Sequence, residues 1–371
     1  MKKIKLKRLK FDNHTIDFKN GINYIIGANA SGKTTIFNLI QHILGIRKDL
    51  GFFSSFIKQD KVSLEITIDD VPYIFQRDLI DQEIIISAMG EDLLFIVGSS
   101  TFDNYLIKIF QPQYNFEIEK SYLASLLRES FISDNNNNLN LQSSSQKENK
   151  LLLMGINASY PKKIKIYIKE LEAQIKQKKG AFAEIDAYRK DISFILDREF
   201  PEKKNTIQEI LNGTLTKYKE QFTDLSAIYN ESKIFLAKII RENDWLFQEK
   251  MNHLEPIFTK YARNFIIDDR ASMKDLFEGN YKGNSYGETI LLALIFEIII
   301  QSSSNLTNGI GLIINDSGLL HFDNHRNLQF RTFLDHMVQE YDLQYIEFSN
   351  SSFGFEKSEI VFDTTKNLRY V

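Results

Sequence analysis

The stretch Gly27-Ala28-Asn29-Ala30-Ser31-Gly32-Lys33-Thr34 constrains this chain more than any other. It satisfies G-x-x-x-x-G-K-[ST], the P-loop pattern, and stands in the setting that pattern needs. The apolar run Ile22–Ile26 before it reads as a strand, and Thr35-Ile36-Phe37-Asn38-Leu39-Ile40 after it opens a helix. Strand, glycine-rich turn and helix N-terminus together form an anion cradle, because successive backbone N–H groups and the positive helix end face one point. Lys33 is then expected at the β- and γ-phosphates of a nucleotide, and Thr34 at a magnesium ion. Gly27, Asn29, Ser31, Gly32 and Thr35 complete the expected phosphate-binding set.

A second chemistry-bearing run lies far downstream. Ile313-Ile314-Asn315-Asp316 ends an apolar strand, Ile310–Ile314, with a carboxylate. This is a Walker B pattern, and Asp316 is expected to bind the same Mg²⁺ as Thr34, directly or through water. Between the two runs the character of the chain changes. Residues 61–97 alternate as a β-meander, with Asp69-Asp70 as a turn. The segment 134–150, with four consecutive asparagines and three consecutive serines, reads as a mobile loop. From Lys163 to about Ile266, apolar residues such as Ile168, Leu171 and Ile175 recur at helical spacings. Glu199-Phe200-Pro201 interrupts them. The pattern predicts two long antiparallel helices with a tip near residues 200–214 and a first arm of about 50 Å; an ordinary helical subdomain would give a similar pattern.

Asn284-Ser285-Tyr286-Gly287-Glu288 opens the apolar helix ahead of the Walker B strand. Here the chain resembles the ABC-type ATPases, whose signature is L-S-x-G-[QE]; Ser285, Gly287 and Glu288 match, and Asn284 replaces Leu. The resemblance implies that Ser285 and Gly287 contact the γ-phosphate held by a second subunit's P-loop. The inserted hairpin, and the approach Gly21-Ile22-Asn23-Tyr24-Ile25-Ile26-Gly27-Ala28-Asn29, narrow the likeness to the SMC-like branch, the chromosome-maintenance and break-repair ATPases. Ala30 stands where that branch usually has Gly, and no Cys-x-x-Cys zinc hook is present. The fold expected is an α/β ABC-type P-loop ATPase head formed by N- and C-terminal segments, with an inserted antiparallel helical hairpin. The lobes would be residues 1–160 and 267–371, and the hairpin 161–266.

Departures from the family bear on the chemistry. The residue after the Walker B Asp, usually a Glu that activates water, is Ser317, a poor general base at neutral pH. A switch His is absent from Gln344–Asn350, which offers Ser349 or Asn350 instead. Asn315-Asp316-Ser317 with Asp323 is similar to a compact SMC-like group with a His-Asp-Ser Walker B, often encoded in bacterial multi-gene defence-like systems. Slow hydrolysis is therefore expected. Asp323, His321 and Glu288 are candidates to position water, and Gln111 or Gln113 is a candidate Q-loop glutamine or a plain surface residue.

The resemblance also implies partners. ATP and Mg²⁺ would be sandwiched between two heads of this chain, and closure would control contacts with DNA or further protein subunits. Net charge is −3, so DNA would have to use local patches. One candidate is Lys2, Lys3, Lys5, Lys7, Arg8 and Lys10; another is Lys162, Lys163, Lys165 and Lys169, followed by Lys176, Lys178 and Lys179. A solvated face describes both equally. The absence of cysteine excludes disulfides, thiol catalysis and Cys-ligated zinc. The longest apolar stretch, Ile290–Ile300, is too short to span a bilayer and carries Glu297, so a cytoplasmic protein with no membrane partner is expected. The rival function is a nucleotide-gated scaffold that binds ATP, barely hydrolyses it and holds an effector.

Overall fold

The computed structural model describes residues 1–47, 61–113, 122–133, 144–263, 272–280, 286–316, 324–350 and 356–368. They divide into two units, residues 1–157 with 247–371, and residues 158–246.

The first unit begins with β1 (Ile4–Phe11) and β2 (His14–Asp17), an antiparallel hairpin. Apolar residues stand at 4, 6, 9 and 11, so strict alternation fails between Leu6 and Leu9. A register shift between Leu6 and Arg8 absorbs the extra residue and lets all four side chains point inward. β3 (Ile22–Ile26) follows, then α1 (Lys33–Ile43). β4 (Lys61–Ile68), β5 (Val71–Asp78), β6 (Glu83–Ala88) and β7 (Glu91–Ile96) make the expected meander. Asp69 and Asp70 both have positive φ, 46° and 65°, as do Met89 and Gly90 at 53° and 86°. Two-residue turns of that kind match the twist of the strands they join.

α2 (Ser100–Phe110), α3 (Tyr122–Glu129), β8 (Phe131–Ser133) and α4 (Ser144–Leu153) come next. The expected loop over 134–150 is corrected in its second half, because residues 144–150 are helical; 134–143 lie outside the described residues. Composition failed there because the decisive contact is tertiary. Lys150 is fully buried and pairs with Glu129 of α3 and with Glu297, both buried carboxylates. Burial alone would lower the Lys150 pKa, but the two carboxylates outweigh it and hold it above the ordinary value.

The second unit is helical. α5 (Ser159–Glu199) and α6 (Lys204–Ala262) are joined at residues 200–203, and the end of α6 re-enters the first unit. Contacts between Lys204 and Asp197, Gln208 and Ser193, and Arg189 and Asn212 climb one helix while descending the other, as antiparallel packing requires. The tip is therefore tighter than the expected 200–214. Asn205, Thr206, Asn212 and Gly213 are weak helix formers, but these pairings carry α6 through them. At 41 residues, α5 is about 60 Å long.

The chain closes the first unit with α7 (Met273–Glu278), α8 (Tyr286–Ser302), β9 (Leu312–Asp316), α9 (Asn324–Tyr341), β10 (Gln344–Ser349), β11 (Ile360–Asp363) and α10 (Thr364–Asn367). α8 is buried from Leu291 to Ile300 on every side, which explains a run that is apolar except for Glu297, the carboxylate paired with Lys150. No helix among the described residues is long and apolar enough to cross a membrane. Two sheets result. One is antiparallel, in the order β2-β1-β4-β5-β6-β7; the other is parallel, in the order β11-β3-β10-β9-β8. Helices cover the parallel sheet on both faces, as such sheets require. Phe37 of α1 meets Phe348 edge-on at 5.9 Å on one face, and Phe330 of α9 meets Tyr345 at 6.3 Å on the other.

Candidate functional site

The carboxyl ends of a parallel sheet are where open α/β folds hold ligands. Here three strands end together: Ser349 stands opposite Ile26, and Phe348 opposite Asp316. The loop leaving β3 is tied down at once, because Gly27 N donates to Ser349 O at 3.1 Å. Ala30 and Gly32 then adopt left-handed φ of 60° and 94°. These turns wind the backbone into a concave nest of N–H groups. Gly32 is also the N-cap of α1 and supplies no side-chain cap, so the first-turn N–H groups keep their affinity for an anion. Ala30 accepts the left-handed conformation at a cost of about 1–2 kcal/mol that glycine would not incur.

Lys33 folds back over this loop. Its Nζ donates to Gly27 O at 2.9 Å and Ala28 O at 2.7 Å. Burial pushes its pKa down, and Asp316 opposes that shift. Thr34 Oγ1 donates to Asp316 Oδ2 at 3.1 Å, so two residues separated by 282 positions meet at the mouth of the cradle. Uncapped helix N-terminus, nest, buried lysine and hydroxyl–carboxylate pair together suit a nucleotide polyphosphate with a divalent cation. Thr35 is buried on α1, whereas Asn29 is exposed on the loop. Asn350 is exposed one residue beyond β10. Gly287 and Glu288 lie in the first turn of α8, where Glu288 is buried. Ser285, Ser317, His321 and Asp323 lie outside the described residues.

Beneath Asp316 runs a buried polar chain on the α9 face of the sheet. Asn315 Nδ2 donates to Tyr345 OH at 2.9 Å, and Tyr345 OH donates to Glu347 Oε2 at 3.0 Å. Burial lifts Glu347 to about 8, with the Tyr345 hydrogen bond pulling the other way. Sequence reasoning missed this chain; alternate polar residues in an otherwise apolar strand were its one signal. It also missed Thr364 and Thr365, which touch the phosphate loop from below. The apolar run Ile360-Val361-Phe362 followed by Asp-Thr-Thr carried that information.

Other candidates land elsewhere. The carbonyl of Gln113 accepts from Asn308 Nδ2 at 2.7 Å, ahead of β9 and so at the end of that strand away from Asp316. Gln111 ends α2 in a left-handed conformation. The cations of β1 are engaged locally: Lys5 with Asp342 at 2.6 Å, Arg8 with Asp17 at 2.5 Å and Lys10 with Glu65 at 3.0 Å. On the hairpin, Lys178 and Lys179 lie over the rings of Tyr218 and Phe222. His321 and His325 stand four apart, but no group of three potential metal ligands from His, Asp and Glu occurs among the described residues.

Residues 5–227 match the family model described as an AAA domain. No curated protein matches the sequence. Among solved structures, the chain is similar to the Smc head domain with an extended coiled coil bound to the C-terminal domain of ScpA from Pyrococcus furiosus. That match has 16% identity, covers 95% of this chain and 90% of that one, and has a TM-score of 0.50. A second is the Smc head domain with a coiled coil and joint from Pyrococcus yayanosii, with 14% identity, 94% and 92% coverage, and a TM-score of 0.45.

Proposed function

The chain belongs to the AAA domain family and has the fold of an SMC-like ATPase head, and from that premise we propose that it binds ATP with Mg²⁺ and hydrolyses it slowly. The observation that carries this reading is the Thr34–Asp316 hydrogen bond below an uncapped α1 N-terminus. Gly27, Asn29, Ser31, Gly32, Lys33, Thr34 and Thr35 would hold the phosphates, and Thr34 and Asp316 the metal. Mg²⁺ held by Thr34 and Asp316 would supply charge neutralisation at the phosphates and help orient the γ-phosphate towards water. Lys33 would leave its carbonyl partners for the phosphates, and desolvation inside the site would strengthen that contact.

Two heads would pair, each presenting Ser285, Gly287 and Glu288 to the other's nucleotide, with Asp323 and Asn350 near the γ-phosphate. Reciprocal use of one surface implies two-fold symmetry. Closure would then change engagement of DNA or of a protein subunit. The Pyrococcus furiosus Smc head is bound to the C-terminal domain of ScpA, and an analogous protein subunit is proposed here. DNA repair or defence against phage and plasmids is the setting that the compact form suggests. Phosphate contacts from Lys162, Lys163 and Lys165 would be sequence-blind and salt-sensitive.

Ser317 in place of a general base favours the second reading, a nucleotide-gated scaffold. Light scattering with and without ATP·Mg²⁺, with phosphate release followed in the same samples, separates the two. Dimers with slow release that DNA stimulates support the ATPase. Dimers with no release support the scaffold. A chain that stays monomeric with ATP contradicts the head-pairing proposal for both.

A further inference from the structure

The last described turn of the first unit reaches the phosphate loop from a side that no motif marks. β11 runs parallel to β3, and Asp363 stands opposite Ile26. Asp363 Oδ1 accepts from Thr365 N at 3.1 Å and Lys366 N at 3.4 Å, which turns the chain sharply at that point. Thr364 and Thr365 are thereby delivered to the underside of the loop. Thr365 Oγ1 accepts from Ala28 N at 2.8 Å. Thr364 is fully buried, its Oγ1 contacts Ser31 Oγ, and it lies 3.1 Å from Ile26 O.

The hydrogens in this cluster can be assigned from chemistry alone. A carbonyl oxygen can only accept, and a threonine hydroxyl has one hydrogen. Thr364 therefore donates to Ile26 O and must accept from Ser31. The single hydroxyl hydrogen of Ser31 is thus turned away from the cradle and spent on Thr364. Gly27 sits against the same pair: a Cβ there would fall 1.8 Å from Thr364 Oγ1 and 2.5 Å from Ser31 Oγ. The first motif glycine is required by this close approach, since its φ is not left-handed.

We propose that Thr364 is a positioning residue for the phosphate cradle, holding Ser31 and the Gly27–Ser31 arc in the shape that receives a nucleoside triphosphate. The inference rests on the nucleotide-binding reading above and adds a residue outside the P-loop motif to the site. It acts by removing loop conformations that would otherwise have to be frozen out when phosphate binds.

The test titrates the full chain with a fluorescent ATP analogue and Mg²⁺. Thr364→Val keeps the shape and deletes the hydroxyl, and should weaken binding about tenfold. Thr364→Ser restores the hydroxyl and should stay within about twofold of the parent. Thr364→Val also leaves Ile26 O without its donor, so its unfolding midpoint without nucleotide should fall; a merely structural role would lower that midpoint while leaving the affinity of the folded chain at the parent value. Ser31→Ala added to Thr364→Val should cost less than the sum of the two single changes, because both delete one link. If Thr364→Val fails to fold, Ser31→Ala alone carries the test and must itself weaken binding about tenfold. Parent-like affinity in Thr364→Val, or in Ser31→Ala where that variant carries the test, overturns the inference and leaves the nucleotide reading intact. A parent chain that binds no ATP removes that reading, and the inference with it.

Discussion

The two sheets of the first unit solve opposite problems. The antiparallel sheet is largely local: β4 to β7 follow one another, two of their three turns take two-residue left-handed forms, and alternation sets each register. The parallel sheet is assembled from residues 22–26, 131–133, 312–316, 344–349 and 360–363. Neighbours there have no turn to align them. Buried polar contacts anchor them instead to elements far apart in sequence. Gln344 shows how: its side chain accepts from Leu6 N at 2.7 Å and donates to Leu6 O and Lys19 O, each at 2.9 Å. The difference teaches where chemistry can be placed. A site that needs groups from remote segments has to sit on the assembled sheet, and the glue of that sheet is polar and titratable.

The strongest challenge to this contrast is Lys150→Met. Lys150 ties α3, which leads into β8, to α8, which leads into β9. The variant leaves Glu129 and Glu297 buried without their cation and should cost about 3–5 kcal/mol in denaturant unfolding. A loss under about 1 kcal/mol would mean that the triad does not hold the parallel sheet.

Function should respond next. Lys33→Ala removes the buried cation of the cradle, and ATP affinity in titration calorimetry should fall roughly 30- to 100-fold. Its meander should be untouched, so hydrogen exchange over residues 61–96 is expected to match the parent. Protection lost there as well would dissolve the separation between the two regions.

Glu347 gives the assembled sheet a pH dependence. Its folded pKa of about 8 lies above the ordinary carboxylate value, so the folded state holds a proton the unfolded chain has released. Stability from this group is fully present below about pH 4.5 and is lost as pH rises towards about 8, by at most about 1.4 kcal/mol per unit. Comparing unfolding of the parent and Glu347→Gln across pH 5–9 isolates it. The variant should lose that slope, and identical slopes would place the proton elsewhere.

The smallest effects test backbone strain in each region. Asp70→Gly in the β4–β5 turn and Ala30→Gly in the phosphate loop each replace a left-handed non-glycine, and each should stabilise by up to about 1 kcal/mol. In the loop, the added freedom should also slow or weaken nucleotide capture. Equal effects on binding from both changes would show that the loop stores no special shape.

What the sequence revealed follows the same division. Ile22–Ile26 was readable as β3, and Gln344–Phe348 as all but the last residue of β10, because buried parallel strands are short, mainly apolar runs rich in β-branched and aromatic residues. The meander was readable through its alternation, and α8 through its length. Thr34 and Asp316 were readable as partners only because both motifs are known to serve one ion; nothing local predicts a meeting across 282 positions. α4 was hidden by its composition, since its helix depends on a lysine finding two distant carboxylates. β8 has three residues, too few for any period to register. Thr364 and Asn315–Tyr345–Glu347 escaped because hydroxyls and amides acquire meaning only when the fold supplies their partners.

The parallel sheet also sets a timetable for synthesis. β3 is made long before its flanking strands, β10 and β11, which lie more than 300 residues later. At about 5–20 residues per second on the ribosome, the wait is on the order of half a minute. During that interval Ile22–Ile26 and the apolar face of α1 have no sheet to join, while the meander can already close. Each newly made molecule therefore passes through a stage with one finished sheet and one exposed sticky strand. A shielding factor bound to the nascent chain would act on that stage.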